Sequence, residues 1–503
     1  MVAKVPKRDW LGALQRLWVR HWRDWFFLAV LLLFVIEASW IAIHSAFPMA
    51  FDEGYHFRLI QFFAGHPNPI VTSQDPSTYG LGNIVHNSSW LYHWLLSFPY
   101  RLLALSHSQY VEVVGLRFLN IGLAVCSLLL LHRLLRHFRL DSAIRTFVVL
   151  LFCLTPVVTA LSAQINYDNL VLLLSLGVMY YVLYFVRELR AGKPSGKTLA
   201  KLLIVSLAGT LVKFSFLPIV AGTAVVTGAA WYINRRRAGV SLSRVWQSFR
   251  GLPALTHSLL AVGVLLSAGL FGLFYGQNLV RYHNLTPSCD QVLSISACSN
   301  YYAWERNYEL AESRDPAMAL QGPLTYAYHW LTTSWYHLYA EIVPTGGIVH
   351  IATSFYILLL NVTALAVLVT LVSIRKVLRR YPLLLPMLGL SSVYVLGLWL
   401  RNYHDYRHLG EAVAVQGRYL VPVLAYYYLV LVLGVHEFFT SSNTHRQCVG
   451  WRIEIGAAVF VAAMFIWYGG AVRYLSDILP ESHWQEKTAP SVAVSGRDTH
   501  RTL

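Results

Sequence analysis

Two adjacent carboxylates follow the first long apolar run of the chain, in the sequence FDEGYHF. Asp52 and Glu53 are followed within two helical turns by Tyr55, His56 and Arg58. A carboxylate in this setting can act as a general base that takes a proton from a hydroxyl group. Acidic residues are also favoured in the first turn of any helix, so a plain helix start is the alternative.

A third carboxylate, Asp168, stands in the sequence QINYDNL at the start of a later apolar run. The connection before it is short, which predicts that Asp168 lies at the same membrane depth as Asp52. Two acids at one level can bind a divalent cation or divide into a base and a positioning group. The simpler interpretation of Asp168 is a helix N-cap.

Cationic residues occur at the same predicted level. Arg117 lies near the start of the second apolar run, Lys213 lies in LVKFSF, and Arg418 lies in QGRYLVP. Cations at that depth are suited to binding a phosphate held among the lipid headgroups. The alternative for each is a side chain that extends to the membrane surface as an anchor.

Two of the five cysteines, Cys289 and Cys298, share a polar loop, and the cysteine spacing matches no metal site. If that loop is extracytoplasmic, these two cysteines are candidates for a disulfide. Two unpaired thiols are the alternative.

Membrane helices must position these residues. Of the 503 residues, 56% are hydrophobic and only 13% are charged, whereas soluble domains have roughly 25% charged residues. We therefore predict an all-α polytopic membrane protein. With the run 201–233 counted as two helices, the apolar runs predict eleven transmembrane helices, at 26–46, 113–135, 145–163, 169–187, 201–233, 254–276, 347–373, 382–400, 417–437 and 453–472.

The distribution of positive charge predicts the orientation. If Ser88–Leu105 is an interfacial amphipathic helix, six segments that hold 26 of the 40 Lys and Arg residues face the cytoplasm. If it were a span, five of those six segments would lie outside, against the positive-inside rule. The net charge of +16 is then a result of topology, and no nucleic-acid partner is expected.

This topology predicts a cytoplasmic basic N-terminus (1–25), a transmembrane domain (26–475) and a polar C-terminal tail (476–503). The predicted extracytoplasmic loops are about 47–112, 277–346 and 401–416, and the first contains the interfacial helices. We expect the chemistry to take place in these loops and at the helix ends beneath them.

The motifs, in their order along the chain, resemble the C-type superfamily of integral-membrane glycosyltransferases (GT-C), in particular its protein O-mannosyltransferase and aminoarabinose transferase group. The resemblance rests on FDEGYHF, WLYHWLLSFPYRLLAL, LRF, NYDNLVLLL and LAGTLVKFSFLPIV. VQGRYLVPVL looks closest to a less characterised bacterial branch. The resemblance implies transfer of a sugar from a polyprenyl-phosphate donor to an acceptor hydroxyl, with inversion at the anomeric carbon, at the extracytoplasmic face.

By motif position, the resemblance implies that Asp52 is the general base and that Asp168 supports the site or a metal ion. Lys213 matches a lysine near the donor phosphate, Arg418 is a candidate for the same task, and Arg117 is a third phosphate-binding candidate. Glu53 is a second catalytic candidate, with orientation of the acceptor or support of the loop as alternatives.

Tyr55, His56 and Arg58 are candidates for contacting the acceptor or its loop. The sequence lacks the soluble luminal domain of some mannosyltransferases and has no clear histidine cluster. A divalent metal ion, held by Asp52 and Asp168 if present, is therefore left open, and no other cofactor is expected.

The expected partners are the lipid-linked sugar donor, a lipid, glycan or protein acceptor, and membrane lipids. The expected location is a bacterial inner membrane with the site facing the periplasm. Two other classes remain as alternatives: a transporter or flippase for a lipid-linked sugar, and an O-antigen polymerase or ligase.

Overall fold

The computed structural model describes residues 10–49, 52–85, 87–339, 341–342, 349–350 and 353–440. The predicted helix at 453–472 and the predicted tail at 476–503 lie outside the described residues. Most of the described chain is helical, and its short strands β1 (Glu341–Ile342) and β2 (Val349–His350) pair antiparallel.

The helices of the first half of the chain differ widely in length. They are α1 (Trp10–His44), α2 (Glu53–Gly65), α3 (Leu91–Leu103), α4 (Gln109–Leu135), α5 (Ser142–Cys153), α6 (Pro156–Ser162), α7 (Asp168–Arg190), α8 (Gly196–Val212), α9 (Leu217–Ala238) and α10 (Leu242–Arg250).

Short helices are concentrated between residues 277 and 313 of the second half. The helices of this half are α11 (Ala254–Phe271), α12 (Gln277–Tyr282), α13 (Cys289–Val292), α14 (Ile295–Cys298), α15 (Tyr302–Ser313), α16 (Pro323–Tyr339), α17 (Thr353–Arg380), α18 (Leu384–Leu409) and α19 (Val421–Thr440).

Eight segments of the described chain are long and apolar enough to cross a membrane, which supports the predicted all-α polytopic membrane architecture. They are Trp25–His44, Gln109–Phe138, Asp168–Arg190, Phe214–Arg236, Ala254–Tyr282, Tyr356–Arg380, Leu384–Leu409 and Gly417–Thr440.

The predicted number of eleven transmembrane helices is not confirmed. A ninth span among the described residues would be α5 and α6 together, which are bent by 70° at their break. Pro156 begins α6 and has no backbone N–H with which to continue α5. Helix α8 has 17 residues, and the predicted helix at 453–472 is outside the described ranges.

Helix α7 lies inside the bundle, where it contacts α4, α8, α9, α18 and α19. Its residues Val178, Met179, Val182 and Leu183 are fully buried. Helices α11 and α17 instead expose many leucine and valine side chains, as expected for helices that face lipid tails. The N-terminal end of α7 carries Asp168, so the packing of α7 fixes one of the predicted site residues.

Helix α3 makes up most of the predicted interfacial segment Ser88–Leu105. Its 13 residues span about 20 Å, less than the roughly 30 Å of a hydrocarbon core. One face buries Tyr92 and His93, and the other exposes Leu95, Phe98 and Leu102. These features agree with the predicted amphipathic helix at the membrane surface.

Candidate active site

Glu53 and Arg117 form an ion pair inside the protein. Arg117, on α4, donates from Nε to Glu53 Oε1 and from Nη2 to Glu53 Oε2, both at 2.8 Å. Both side chains have 0% exposure. The two parallel bonds give the planar, two-pronged geometry in which guanidinium and carboxylate groups bind most specifically.

The same pair also joins several backbone segments. Arg117 Nη1 donates to the carbonyl oxygens of Ala42 and Ser45, near the end of α1, at 2.9 and 2.8 Å. The Glu53 carboxylate accepts from the backbone N–H of Met49 at 2.7 Å and of Ile165 at 3.1 Å.

These contacts fill both oxygens of Glu53 and hold the loop that leads into Asp52. The geometry therefore favours the loop-supporting alternative for Glu53. It also places Arg117 away from any open surface, which does not favour the predicted phosphate-binding role.

The side chain of Asp52 is exposed, whereas that of its sequence neighbour Glu53 is buried. The Asp52 side chain is 64% exposed, and its Oδ2 accepts from Arg418 Nη2 at 3.1 Å. Its backbone has φ 68° and ψ 25°, the left-handed region, which Asp tolerates better than most residues but which is seldom adopted without a reason. Asp52 occupies the N-cap position of α2, but its side chain makes no capping hydrogen bond to the described residues and pairs with Arg418 instead.

Asp168 and Lys213 form a second ion pair. Lys213 Nζ donates to Asp168 Oδ1 at 2.6 Å, and both side chains are nearly buried. Asp168 is the first residue of α7, whereas Tyr167 occupies the N-cap position. The predicted N-cap role therefore belongs to another residue, and the Asp168 carboxylate serves the ion pair. Its Oδ2 has no hydrogen-bond partner among the described residues.

Two tyrosines connect the ion pairs. Lys213 Nζ lies 4.4 Å from the ring centroid of Tyr167 and 4.5 Å from that of Tyr419. Arg418 Nη2 also donates to the Tyr419 hydroxyl at 3.3 Å. Rings that contact cations in this way supply additional electrostatic stabilisation, so the two cations and two carboxylates form one continuous cluster.

Close packing of the segment 417–420 positions Arg418. This segment is a 3-10 turn that lies against α16. A Cβ atom on Gly417 would lie 2.6 Å from the backbone N of Leu338, so only glycine permits this approach. The Tyr394 hydroxyl, on α18, donates to the carbonyl oxygen of Tyr419 at 2.7 Å. Arg418 is consequently buried although it carries a charge.

A buried histidine pair borders the cluster. His56 Nδ1 and His93 Nε2 are 2.9 Å apart, and the His56 ring is 4.4 Å from the ring of Tyr167. Burial lowers the pKa of His56 well below its usual value, and the charges of His93, Arg418 and Lys213 lower it further. Burial also lowers the pKa of His93 to about 3. Both imidazoles are therefore neutral at neutral pH.

Tyr301 brings the predicted extracytoplasmic loop 277–346 next to the cluster. Its ring lies 5.7 Å from that of Tyr55. Burial raises the pKa of Tyr55 well above its usual value, and the charge and hydrogen bond of Tyr301 raise that pKa further. The disulfide between Cys289 and Cys298 precedes Tyr301, whose N–H donates to the carbonyl oxygen of Cys298 at 2.8 Å. The predicted cysteine pair thus lies in the segment that holds Tyr301.

The remaining predicted residues differ in exposure. His56 is buried, Tyr55 is half-buried beside Tyr301, and Arg58 is exposed on the outer side of α2. Four residues in or next to the cluster, His93, Tyr167, Tyr301 and Tyr419, were not predicted. Tyr167 and Tyr419 are each adjacent in sequence to a predicted site residue, and that adjacency was the available signal.

A metal ion does not match the arrangement of the described residues. Within them, no three His, Cys, Asp or Glu side chains come close enough together to hold one. The two acids predicted to share a metal, Asp52 and Asp168, each face a cation instead. These contacts are typical of carboxylates paired with Lys and Arg side chains rather than of carboxylates that bind a metal ion.

Comparisons with known proteins give structural matches only. No protein-family model matches the sequence, and no curated protein matches it. One solved structure that the fold resembles is the Archaeoglobus fulgidus oligosaccharyltransferase in its apo form, with a TM-score of 0.46 and 13% identity over 91% of this chain. A second is the oligosaccharyltransferase AglB from the same organism in complex with an inhibitory peptide and a dolichol-phosphate, with a TM-score of 0.44 and 12% identity over 92% of this chain.

The present chain spans 58% and 59% of the lengths of those two proteins. Because both TM-scores are below 0.5, the function has to be inferred from the geometry of the chain itself.

Proposed function

We propose that this chain is a membrane glycosyltransferase that moves a sugar from a polyprenyl-phosphate donor to an acceptor hydroxyl at the extracytoplasmic face. The main support is the contact between the exposed carboxylate of Asp52 and the buried guanidinium of Arg418, at 3.1 Å. A base for the acceptor and a cation for the departing phosphate are then neighbours, as a displacement at the sugar carbon requires.

In the proposed reaction, the donor phosphate replaces Asp52 as the partner of Arg418. Asp52 accepts the proton of the acceptor hydroxyl while the acceptor oxygen forms a bond to C1 of the sugar. The bond between C1 and the phosphate oxygen breaks, and its electron pair leaves with the phosphate, whose charge Arg418 stabilises. The products are the glycosylated acceptor and polyprenyl phosphate, and a single displacement inverts C1.

The ion pair of Asp168 and Lys213 has a supporting role in this proposal. Lys213 adds positive charge next to Arg418 across the ring of Tyr419, and Asp168 holds Lys213 in place. Glu53 and Arg117 position the loop that carries Asp52, and they do not touch the substrates.

A donor panel tests the proposal. Purified protein is incubated with several polyprenyl-phosphate sugars, with and without candidate acceptors, and released polyprenyl phosphate is measured. We expect one donor to be consumed, and we expect Arg418→Gln to slow its consumption by about 10²-fold or more. Arg407→Gln, which changes an exposed arginine of α18, is the matched control and should retain wild-type activity.

A transporter or flippase would behave differently in sealed vesicles. It would move the labelled lipid-linked sugar across the membrane and leave the bond between sugar and phosphate intact. Transbilayer movement without cleavage of any donor would contradict the glycosyltransferase proposal.

A further inference from the structure

A groove lies between α4, α7 and α8, towards the end of α7 that is opposite to Asp168. Its volume is about 640 Å³, within the range of 300–1,000 Å³ typical of small-molecule sites. Its polar lining includes Tyr180, Tyr181, Tyr184, Arg133, Lys197 and Lys201. The proposed reaction uses none of these residues.

The charge of the groove is predominantly positive. Arg133 and Lys197 are exposed, and Lys201 is half-buried. Among the described residues, none of these three cations belongs to an ion pair. The one carboxylate of the lining, Glu188, accepts hydrogen bonds from Thr198 Oγ1 at 2.8 Å and from the backbone N–H of Ser195 at 3.1 Å.

Tyrosine rings hold two of the cations at the groove. The Arg133 guanidinium lies 5.6 Å from the ring centroid of Tyr180, and Lys201 Nζ lies 5.7 Å from that of Tyr181. A ring face accepts no conventional hydrogen bond, so the contact with Tyr181 leaves the N–H groups of Lys201 available to an anion. Arg133 also hydrogen-bonds the Tyr180 side chain, and its other guanidinium N–H groups remain for an anion. The arrangement provides a preformed anion-binding edge.

The rest of the lining is apolar. Leu173 and Leu174 of α7 line the groove together with Leu130 of α4 and Val205 of α8. From Glu188 to Leu173 the helix rises about 22 Å, whereas one leaflet contributes about 15 Å of hydrocarbon. The groove therefore begins at the headgroup level near Glu188 and extends past the middle of a bilayer. Arg133 and Lys201 lie partway along it, beside Tyr180 and Tyr181, and the leucines of α7 line its deeper part.

We propose that this groove binds an anionic membrane phospholipid. Its phosphate contacts Arg133, Lys197 and Lys201, and one acyl chain lies along Leu130, Leu173, Leu174 and Val205. Charge complementarity favours an anionic lipid over a zwitterionic one, and basic pockets between transmembrane helices are known to bind anionic headgroups. This site is separate from the Asp52 cluster and does not depend on the proposed function.

Native mass spectrometry of the purified full chain in detergent tests this proposal. The probes are phosphatidylglycerol and phosphatidylcholine with identical acyl chains. We expect wild-type protein to retain phosphatidylglycerol at least tenfold better. The triple variant Arg133→Gln, Lys197→Gln, Lys201→Gln should lose that preference, and Leu174→Trp, which fills the apolar end, should weaken the binding of phosphatidylglycerol.

The matched control is the triple variant Arg235→Gln, Arg236→Gln, Arg375→Gln. It removes three exposed cations at the same predicted membrane face but outside the groove, and it should bind phosphatidylglycerol as wild type does. Variant folding is checked by a monodisperse profile in gel filtration.

Three results would overturn the proposal. One is equal retention of the two lipids by wild-type protein, and another is an equal loss of binding in the groove variant and the control variant. The third is complete displacement of phosphatidylglycerol by millimolar inorganic phosphate or by an equimolar amount of polyprenyl phosphate, because either would assign the site to a different ligand.

Discussion

Asp52 and Glu53 are neighbours in the sequence, but the structure gives them opposite surroundings. Glu53 is the first residue of α2 and points into the bundle towards Arg117, whereas Asp52 precedes the helix and stays exposed beside Arg418. The left-handed backbone conformation of Asp52 accompanies this difference between the two side chains. The pair thus divides into a buried residue that holds the loop and an exposed residue beside Arg418.

Breaking the buried pair should destabilise the protein. Glu53→Gln leaves Arg117 as a charge without its counterion, and removing one partner of a buried ion pair costs about 3–5 kcal/mol. We expect a clear decrease of the thermal unfolding midpoint in detergent, measured by intrinsic fluorescence. Arg58→Gln, on the exposed side of α2, should leave the midpoint unchanged. A normal midpoint combined with lost activity in Glu53→Gln would instead place Glu53 in the chemistry.

The histidine pair should make the protein sensitive to acid. Burial lowers the folded-state pKa of His93 to about 3 from an ordinary value of 6.5, so below pH 6.5 the unfolded chain binds protons that the folded chain does not. Stability is therefore complete above pH 6.5 and decreases as the pH falls, by about 2 kcal/mol at pH 5 for His93.

Thermal unfolding midpoints between pH 7 and pH 5 measure this effect. His93→Gln, which keeps a hydrogen-bonding side chain but does not titrate, should show a smaller loss on acidification than wild type. His404→Gln, an exposed histidine of α18, should follow wild type. Parallel pH profiles for all three proteins would refute the prediction.

At the scale of the element, the 3-10 turn at residues 417–420 determines where Arg418 points. A Cβ atom at position 417 would come within 2.8 Å of three backbone atoms of α16. Gly417→Ala should therefore shift Arg418, and a displacement of about 1 Å can cost on the order of 10²-fold in rate. We expect a large decrease in the rate of donor cleavage and only a small decrease in the thermal unfolding midpoint.

A second glycine provides the control for that experiment. At Gly269, in α11, no atom lies within 4 Å of the place that an alanine methyl group would occupy, so Gly269→Ala should leave the rate unchanged. If both variants cleave the donor at the wild-type rate, close packing of residue 417 against α16 is not required to position Arg418.

At the scale of the whole molecule, the orientation of the first loop can be tested by labelling single cysteines with a membrane-impermeant reagent. Ser73 and Ser106 are exposed on either side of α3, so Ser73→Cys and Ser106→Cys should both label from outside intact cells. Ser243→Cys, in α10, should label only after the membrane is opened. Labelling of Ser106→Cys only after opening would mean that the segment of α3 crosses the membrane.

The sequence predicted the positions of the long helices better than it predicted the number of transmembrane helices. Long apolar runs such as the one that became α7 were located to within a few residues, because burial and lipid contact both require continuous apolar surface. The bend at Pro156 and the 17-residue length of α8 depend on packing partners, and hydropathy alone does not show them.

The sequence predicted some of the residues that come together, but it did not predict how they pair. The sequence placed Asp52, Asp168, Lys213 and Arg418 at one membrane level, and the structure joins them through contacts. Which carboxylate meets which cation depends on long-range packing, since Asp52 and Arg418 are 366 residues apart. For the same reason Tyr301, which comes from the predicted loop 277–346, could not be assigned to the site from local patterns.

The most direct test of the central claim is the rate of donor cleavage by Asp52→Asn in the presence of acceptor. Asparagine has nearly the same shape but cannot accept the proton, so we expect a loss of about 10²–10⁴-fold with an unchanged unfolding midpoint. Glu411→Gln, which neutralises an exposed carboxylate in the segment before Arg418, should cleave the donor at the wild-type rate. Sugar transfer by Asp52→Asn at a rate close to wild type would contradict the assignment of Asp52 as the base.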